Sequence, residues 1–274
     1  MEPPGCRTLV PLGAARGPRK RGLAVRSSGI GVSGAGASAL HRYRALAAEH
    51  RWERRAVRAA VAGGAGVVAA GVSVWWAGPL VAALVFVGHV AYVRFRPGPV
   101  TNWRRGALAE RSTGRRLARL DPAGFHVLHD RALLDGTVTT NLDHLVVGLS
   151  GIYAVASRRL RWGARLRTEQ RRLWVGHKPV ASVTGVAARA ADTVSALLSE
   201  ELDQDVHVTP IVVVHGARVA RDGVEHEGVL FYPARAIPRA IAGEPVIYTS
   251  AQVASIAAAA ERSLPPMMEI LLPD

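Results

Sequence analysis

Cysteine is almost missing from this 274-residue chain, with Cys6 the single example. No intramolecular disulfide can form, and a thiolate metal cluster within one chain is excluded, which fits a reducing compartment. Acidic residues are scarce in the first 105 positions, where 16 Lys and Arg stand against 3 Asp and Glu. That stretch therefore carries +13 of the total charge of +14. A pI near 11.3 would otherwise suggest a nucleic-acid-binding surface over the whole molecule, and this distribution argues against one. Residues 106–274 are close to neutral but polarised, with residues 106–172 at +6 and residues 173–274 at −5.

Charge of either sign vanishes between Ala59 and Val93, a run of 35 residues. As one helix it would extend roughly 52 Å, against a hydrocarbon core of about 30 Å. Trp75-Trp76-Ala77-Gly78-Pro79 places an interfacial aromatic pair and a turn near the middle, leaving segments of about 17 and 15 residues. The flanks HRYRALAAEHRWERRAVR and RFRPGPVTNWRR are both basic, and basic flanks stay in the cytoplasm. The expectation is a two-helix transmembrane hairpin over 59–93 in the plasma (inner) membrane, with both termini cytoplasmic. A shallow re-entrant hairpin and a buried soluble helix pair are the alternatives. His89 is expected to face the other helix or the interface.

The segments around this run divide by composition. Residues 1–38 are rich in Gly, Pro, Ala and Arg without a hydrophobic period and are expected to form a disordered basic tail. Its TLVPLGAA is too short, and too interrupted by proline, for the core of a secretory signal. A basic juxtamembrane helix is expected over 39–58 and a linker over 94–103. From there NWRRGALAERSTGRRLARL has helical spacing and should end at Asp121-Pro122. GFHVLHD, TTNLDHLVVG and GIYAVASRR read as three strands, followed by the helix VTGVAARAADTVSALLSEEL and the buried strand VHVTPIVVVHG. HEGVLFYP and SAQVASIAAAAERSL add a strand and a helix over 217–274 as an extension of the same domain. The fold class is α/β, with an αβββαβ core sharing one sheet.

The residues GALAERSTGRRLARL, FHVLHD, NLDHLVVGLSGIYAV and TPIVVVHG resemble the nuclease-related domain (NERD) family of the PD-(D/E)xK nuclease superfamily, over a domain placed at 104–216. The resemblance implies a restriction-endonuclease-type core that hydrolyses phosphodiesters with Mg²⁺. It implies a helix glutamate, Glu110, and the acid of an Asp-His pair, Asp143, as metal ligands and catalytic groups, then an acid-x-Lys on the next strand. Here the chain departs from the pattern, with Ala156 at the acid position and Arg158 at the lysine position. Alanine ligates no metal, and guanidinium does not deprotonate near neutrality. Mg²⁺ at Asp143 and Glu110 would therefore be held weakly or not at all. Glu169, 13 residues beyond Ala156, is the acid considered as a relocated ligand.

Arg158, Arg159, Arg161, Arg165 and Arg167, with Trp162 among them, suit phosphate contact and base stacking. The same arginines would also suit anionic lipid beside a membrane. Strand alternation would put Arg159 and Arg161 on one face and Arg158 on the other. His126 and His129 are spaced to face opposite sides of a strand, His144 should point away from Asp143, and His177, His207, His215 and His226 lack zinc spacing. Three functions follow as expectations. The first is a membrane-anchored, nuclease-derived domain that binds DNA, RNA or nucleotide with little or no cleavage. The second is an inactive scaffold that binds a protein partner or a second copy of itself. The third is an active Mg²⁺ nuclease with a relocated acid.

Overall fold

The computed structural model describes residues 34–49, 51–95, 98–135, 138–180 and 182–272. The tail expected over residues 1–33 lies outside them. Helical stretches dominate the first part: α1 (Ala37–Glu49), α2 (Arg51–Val72), α3 (Ala77–Phe95) and α4 (Pro99–Leu117). Two expectations are corrected here. Residues 34–38 belong to an ordered turn and to the start of α1, with Ser38 buried. The linker expected over 94–103 is mostly helix, because Pro99 suits a first helical position where its missing N–H is not needed.

α2 and α3 form an antiparallel pair joined through Ser73–Trp76. Ala77-Gly78-Pro79, expected in the turn, instead opens α3, since proline is tolerated in a first helical turn. Small residues set the separation of the two helices. A Cβ added at Gly66 would lie 2.9 Å from the Gly78 carbonyl oxygen and 3.0 Å from the Ala82 Cβ. Val67, Val68, Val72, Leu80, Leu84 and Val87 on the outer surfaces are all more than half exposed. By length and composition α2 can cross a membrane, and the apolar run Ala77–Val93 of α3 is shorter.

After Asp121–Ala123, a single 3-10 turn, come β1 (His126–Asp135), β2 (Val138–Gly148) and β3 (Gly151–Arg159). They are followed by β4 (Leu166–Glu169), β5 (Arg172–Val175), β6 (Lys178–Pro179), α5 (Ser182–Leu202) and β7 (Val208–His215). β8 (Val224–His226), β9 (Val229–Pro233), α6 (Ile237–Ala242), α7 (Ser250–Ser263) and α8 (Met267–Leu271) complete the chain. The main sheet has the order β1-β2-β3-β7-β9-β8. β1, β2 and β3 are antiparallel neighbours, whereas β7 lies parallel to β3 and β9 parallel to β7. A parallel neighbour needs a crossover, and α5 supplies it. The order α4, β1, β2, β3, α5, β7 is the expected αβββαβ core. β4, β5 and β6 form a separate three-stranded sheet where a hairpin or loop was expected.

Alternation along the strands divides the core between the two sheet faces. Leu117 at the end of α4, Leu120 just beyond it, and Ile237 and Ile241 of α6 pack with Val146, Tyr153, Val155 and Val213. Val194 and Leu198 of α5 and Ile256 of α7 pack with Leu145, Val147 and Ile152. The small sheet adds Leu166 and Leu173 against Val212 and Phe231.

One irregularity interrupts the pattern. The β1–β2 partners include His129 with His144 and Arg131 with Leu142 and pass over Asp130, whose φ is +53°. Leu142, Leu145 and Val147 share one core cluster, so the alternation of β2 shifts by a residue around Asp143. Asp143 thus stands inside β2, at its irregular point, and not at the strand's beginning.

Candidate functional site

α4 turns one stripe toward the sheet: Glu110, Thr113 and Leu117 recur at helical spacing and are all buried. Sequence pattern therefore carries a carboxylate, Glu110, into the protein interior. Opposite it, β2 and β3 pair from His144 with Val155 to Gly148 with Gly151, and beyond that the Asp143 side chain enters between them. The Ser157 N–H donates to Asp143 Oδ2 at 2.6 Å. Arg158 Nη1 lies 3.5 Å from the same oxygen and donates to the Ser157 carbonyl at 3.0 Å. Ala156, beside Val212 in the parallel register, is half-buried and offers no ligand.

A third acid, Asp130, was not singled out from the sequence. It is fully buried, and the amino end of α1 covers it. The Ser38 N–H donates to Asp130 Oδ2 at 2.8 Å, and the Ser38 hydroxyl donates to Oδ1. The first N–H groups of a helix have no partner within it, so Asp130 caps α1 and meets the positive end of its dipole. Gly36, at φ +69°, brings the chain against α4: a Cβ there would sit 2.9 Å from the Ala107 carbonyl oxygen and 3.3 Å from Glu110 Oε2. Asp130 closes the strand read as GFHVLHD and stands between His129 and Arg131, so no apolar pattern marked it as buried. Ser38 carried no signal either, because its segment has no periodicity.

Burial and neighbouring charges raise two of these carboxyls, Glu110 and Asp143. Burial first, then the charges of Asp143 and Asp130, push the Glu110 carboxyl up to about 8, with Arg158 opposing. Glu110 is therefore mainly protonated at neutral pH. Burial also raises the Asp143 carboxyl above its ordinary value, while Arg158 and the Ser157 N–H pull it back. Behind them runs a chain of neutral groups: Ser157 Oγ donates to Thr113 Oγ1 at 2.9 Å, and Thr113 Oγ1 lies 2.9 Å from His215 Nε2. Burial, with Arg116 and Arg159, lowers His215 to about 4. His129 and His144 face each other with their Nδ1 atoms 2.8 Å apart, and burial holds both below the ordinary imidazole value. One of the two must carry its proton on Nδ1 and the other must accept.

The residues present do not fit a Mg²⁺ centre. Among the described residues, no three His, Cys, Asp or Glu side chains are grouped to hold a metal ion. Asp143 accepts from Ser157 beside Arg158, Asp130 accepts from Ser38, and burial raises the Glu110 carboxyl. Glu169 does not replace the missing acid: it is exposed on β4, in the other sheet, with Arg167 Nε 3.0 Å away.

The arginine run is displayed beside this site, with one correction to its geometry. β3 ends at Arg159, so Arg161 and Trp162 lie on a turn and the strand alternation does not govern them. The turn is fastened to the chain after β7: Leu160 N–H donates to His215 O at 2.9 Å, Gly163 N–H to Gly216 O at 3.0 Å, and Leu166 N–H to Arg218 O at 2.8 Å. Trp162 is 84% exposed on it, and Arg159, Arg161 and Arg165 are exposed.

A central mixed sheet with this helix order, and acids gathered where β2 and β3 separate, fits a nuclease-like α/β core. Residues 105–215 match the profile of the family described as "NERD: Nuclease-related domain", and this part of the chain is a nuclease-related domain. No curated protein and no solved structure matches the chain.

Proposed function

We propose that this chain is a membrane-anchored nuclease-related protein, facing the cytoplasm, whose domain binds nucleic acid or nucleotide and cleaves phosphodiesters weakly or not at all. The observation that carries the reading is Asp143. Its carboxylate is engaged by Ser157 and Arg158 next to Ala156, so the metal-ligating acid of the family is committed to internal contacts. A metal ion held there would polarise the phosphate and activate a water, and an Asp143 so engaged would hold one weakly. Arg158 supplies charge but no base.

Binding is supported by Arg159, Arg161 and Arg165 with Trp162 on an anchored turn, a combination suited to phosphates and an unpaired base. Anchoring is supported by the length and apolar composition of α2 and by the exposed valines and leucines of the α2–α3 pair. Trp75 and Trp76 at its tip suit a membrane interface. A scaffold binding a protein partner or a second copy is the second reading, favoured by the opposed charges of residues 106–172 and 173–274.

Full-length protein in detergent, incubated with single- and double-stranded DNA and RNA in Mg²⁺ and in Mn²⁺, is expected to leave them intact. Binding should weaken steeply as salt rises, with a slope about 0.7 to 0.9 shallower for each phosphate-contacting arginine removed. Trp162→Ala should cost about 1–3 kcal/mol on single strands alone. Cleavage abolished by Asp143→Ala would refute the inactive reading, and no binding at low salt would leave the scaffold.

A further inference from the structure

At the root of the α2–α3 pair, α1, α2, α3 and α4 border an open cavity of about 720 Å³. Five arginines line it, Arg51, Arg54, Arg55, Arg58 and Arg104, and no acidic residue does. Guanidinium groups stay charged at any pH the protein meets, so five around one volume repel one another unless an anion enters. Arg54 donates to the Ala47 carbonyl, and Arg55 lies over the Trp52 ring at 5.4 Å from its centroid. Among the described residues none of the five pairs with a carboxylate.

We infer that this cavity is a binding site for a phosphate-bearing anion. Arginine's planar fork matches phosphate oxygens two at a time, and several forks converging on one space hold such a group better than a lysine-type point charge. Tyr43 and Thr101 add polar residues to the lining, while Val90 and Val93 give it an apolar side. The volume lies within the range of about 300–1,000 Å³ usual for small-ligand sites, so more than an inorganic ion can fit.

Position bears on the source of the anion. Arg51 to Arg58 occupy the first turns of α2, before its charge-free run, and Val90 and Val93 lie near the end of α3. If the pair is inserted as proposed above, the cavity sits at the depth of lipid headgroups, with its apolar side continuous with the buried helices. The lipid source rests on that reading. A soluble phosphate compound does not.

The test uses the full chain in uncharged detergent micelles, titrated calorimetrically with dioctanoyl phosphatidic acid, inorganic pyrophosphate and zwitterionic dioctanoyl phosphatidylcholine. Saturable binding of phosphatidic acid alone assigns the site to a lipid headgroup; comparable binding of pyrophosphate assigns it to a soluble anion; either supports the site. Arg58→Gln with Arg104→Gln should weaken binding about ten-fold or more. Arg159→Gln with Arg161→Gln, outside the cavity, should not. Should the first pair lose helical circular dichroism, Arg58→Lys with Arg104→Lys keeps the charge and should still weaken binding.

Binding of neither anion, equal binding of phosphatidylcholine, or unchanged affinity in a folded cavity variant overturns the inference. Vesicle flotation separates the two readings. A chain that floats but binds neither anion sinks this site alone, and one that binds pyrophosphate without floating sinks the anchor alone.

Discussion

Ser38 meets Asp130 with both its backbone N–H and its hydroxyl, and neither oxygen of that acid is left open. Ser38→Ala removes one hydrogen bond to a buried charge, worth about 1.5–3 kcal/mol. At roughly 2–4 °C per kcal/mol for a domain of this size, thermal unfolding should come several degrees earlier. Glu110 makes a prediction with the opposite chemistry. Its carboxyl ionises near 4.5 when unfolded and near 8 when folded, so its contribution is full below 4.5 and is lost as pH rises toward 8. Glu110→Gln cannot ionise, so its stability relative to the unsubstituted protein should improve steadily between those values and level off above 8 in denaturant titrations. A variant that gains nothing across that window would contradict the buried, protonated assignment. His215 works from the acid side. Its imidazole is held near 4 against an ordinary 6.5, so its contribution is present above 6.5 and is lost as pH falls toward 4.

Elements were the most readable level, and the reasons are particular. Thr113 and Leu117 mark the buried face of α4 at helical spacing, and the alternating Leu145, Val147 and Val146 mark β2, because each period repeats often enough to dominate local propensity. The β4-β5-β6 sheet was not readable, since its strands are two to four residues long and β4 and β5 join through Gln170 and Arg171, both at positive φ without a glycine. In the site, Asp143, Ala156 and Arg158 were legible through the family pattern. The closure by Ser38 and Asp130 was not, because it joins segments 92 residues apart and depends on a break in strand alternation. The α2–α3 pair carries its own test. Gly66→Ile must push against the Gly78 carbonyl and Ala82, whereas a side chain at Gly63 or Gly71 meets nothing within 4 Å. Helical melting in detergent should fall for Gly66→Ile and change little for Gly63→Ile or Gly71→Ile, apart from small propensity effects.

At the scale of the whole molecule, the two extremes of composition separate in space. The charge-free run forms the outward-facing α2–α3 pair, and basic residues gather at its root and beside the nuclease-like site. If the pair is an anchor, alkaline carbonate should leave the chain in the membrane pellet, and deletion of residues 51–95 should release it. The central claim, however, concerns the acids. Burial raises the Glu110 carboxyl, Asp130 accepts from Ser38 and Asp143 accepts from Ser157 beside Arg158, and on the function proposed above these acids hold no metal ion tightly. Titration of the full chain with Mn²⁺, followed by the loss of the free-ion paramagnetic resonance signal, tests this directly. The account predicts no saturable site up to millimolar Mn²⁺ and the same trace for Asp143→Asn. One equivalent of bound Mn²⁺ that Asp143→Asn removes would contradict it.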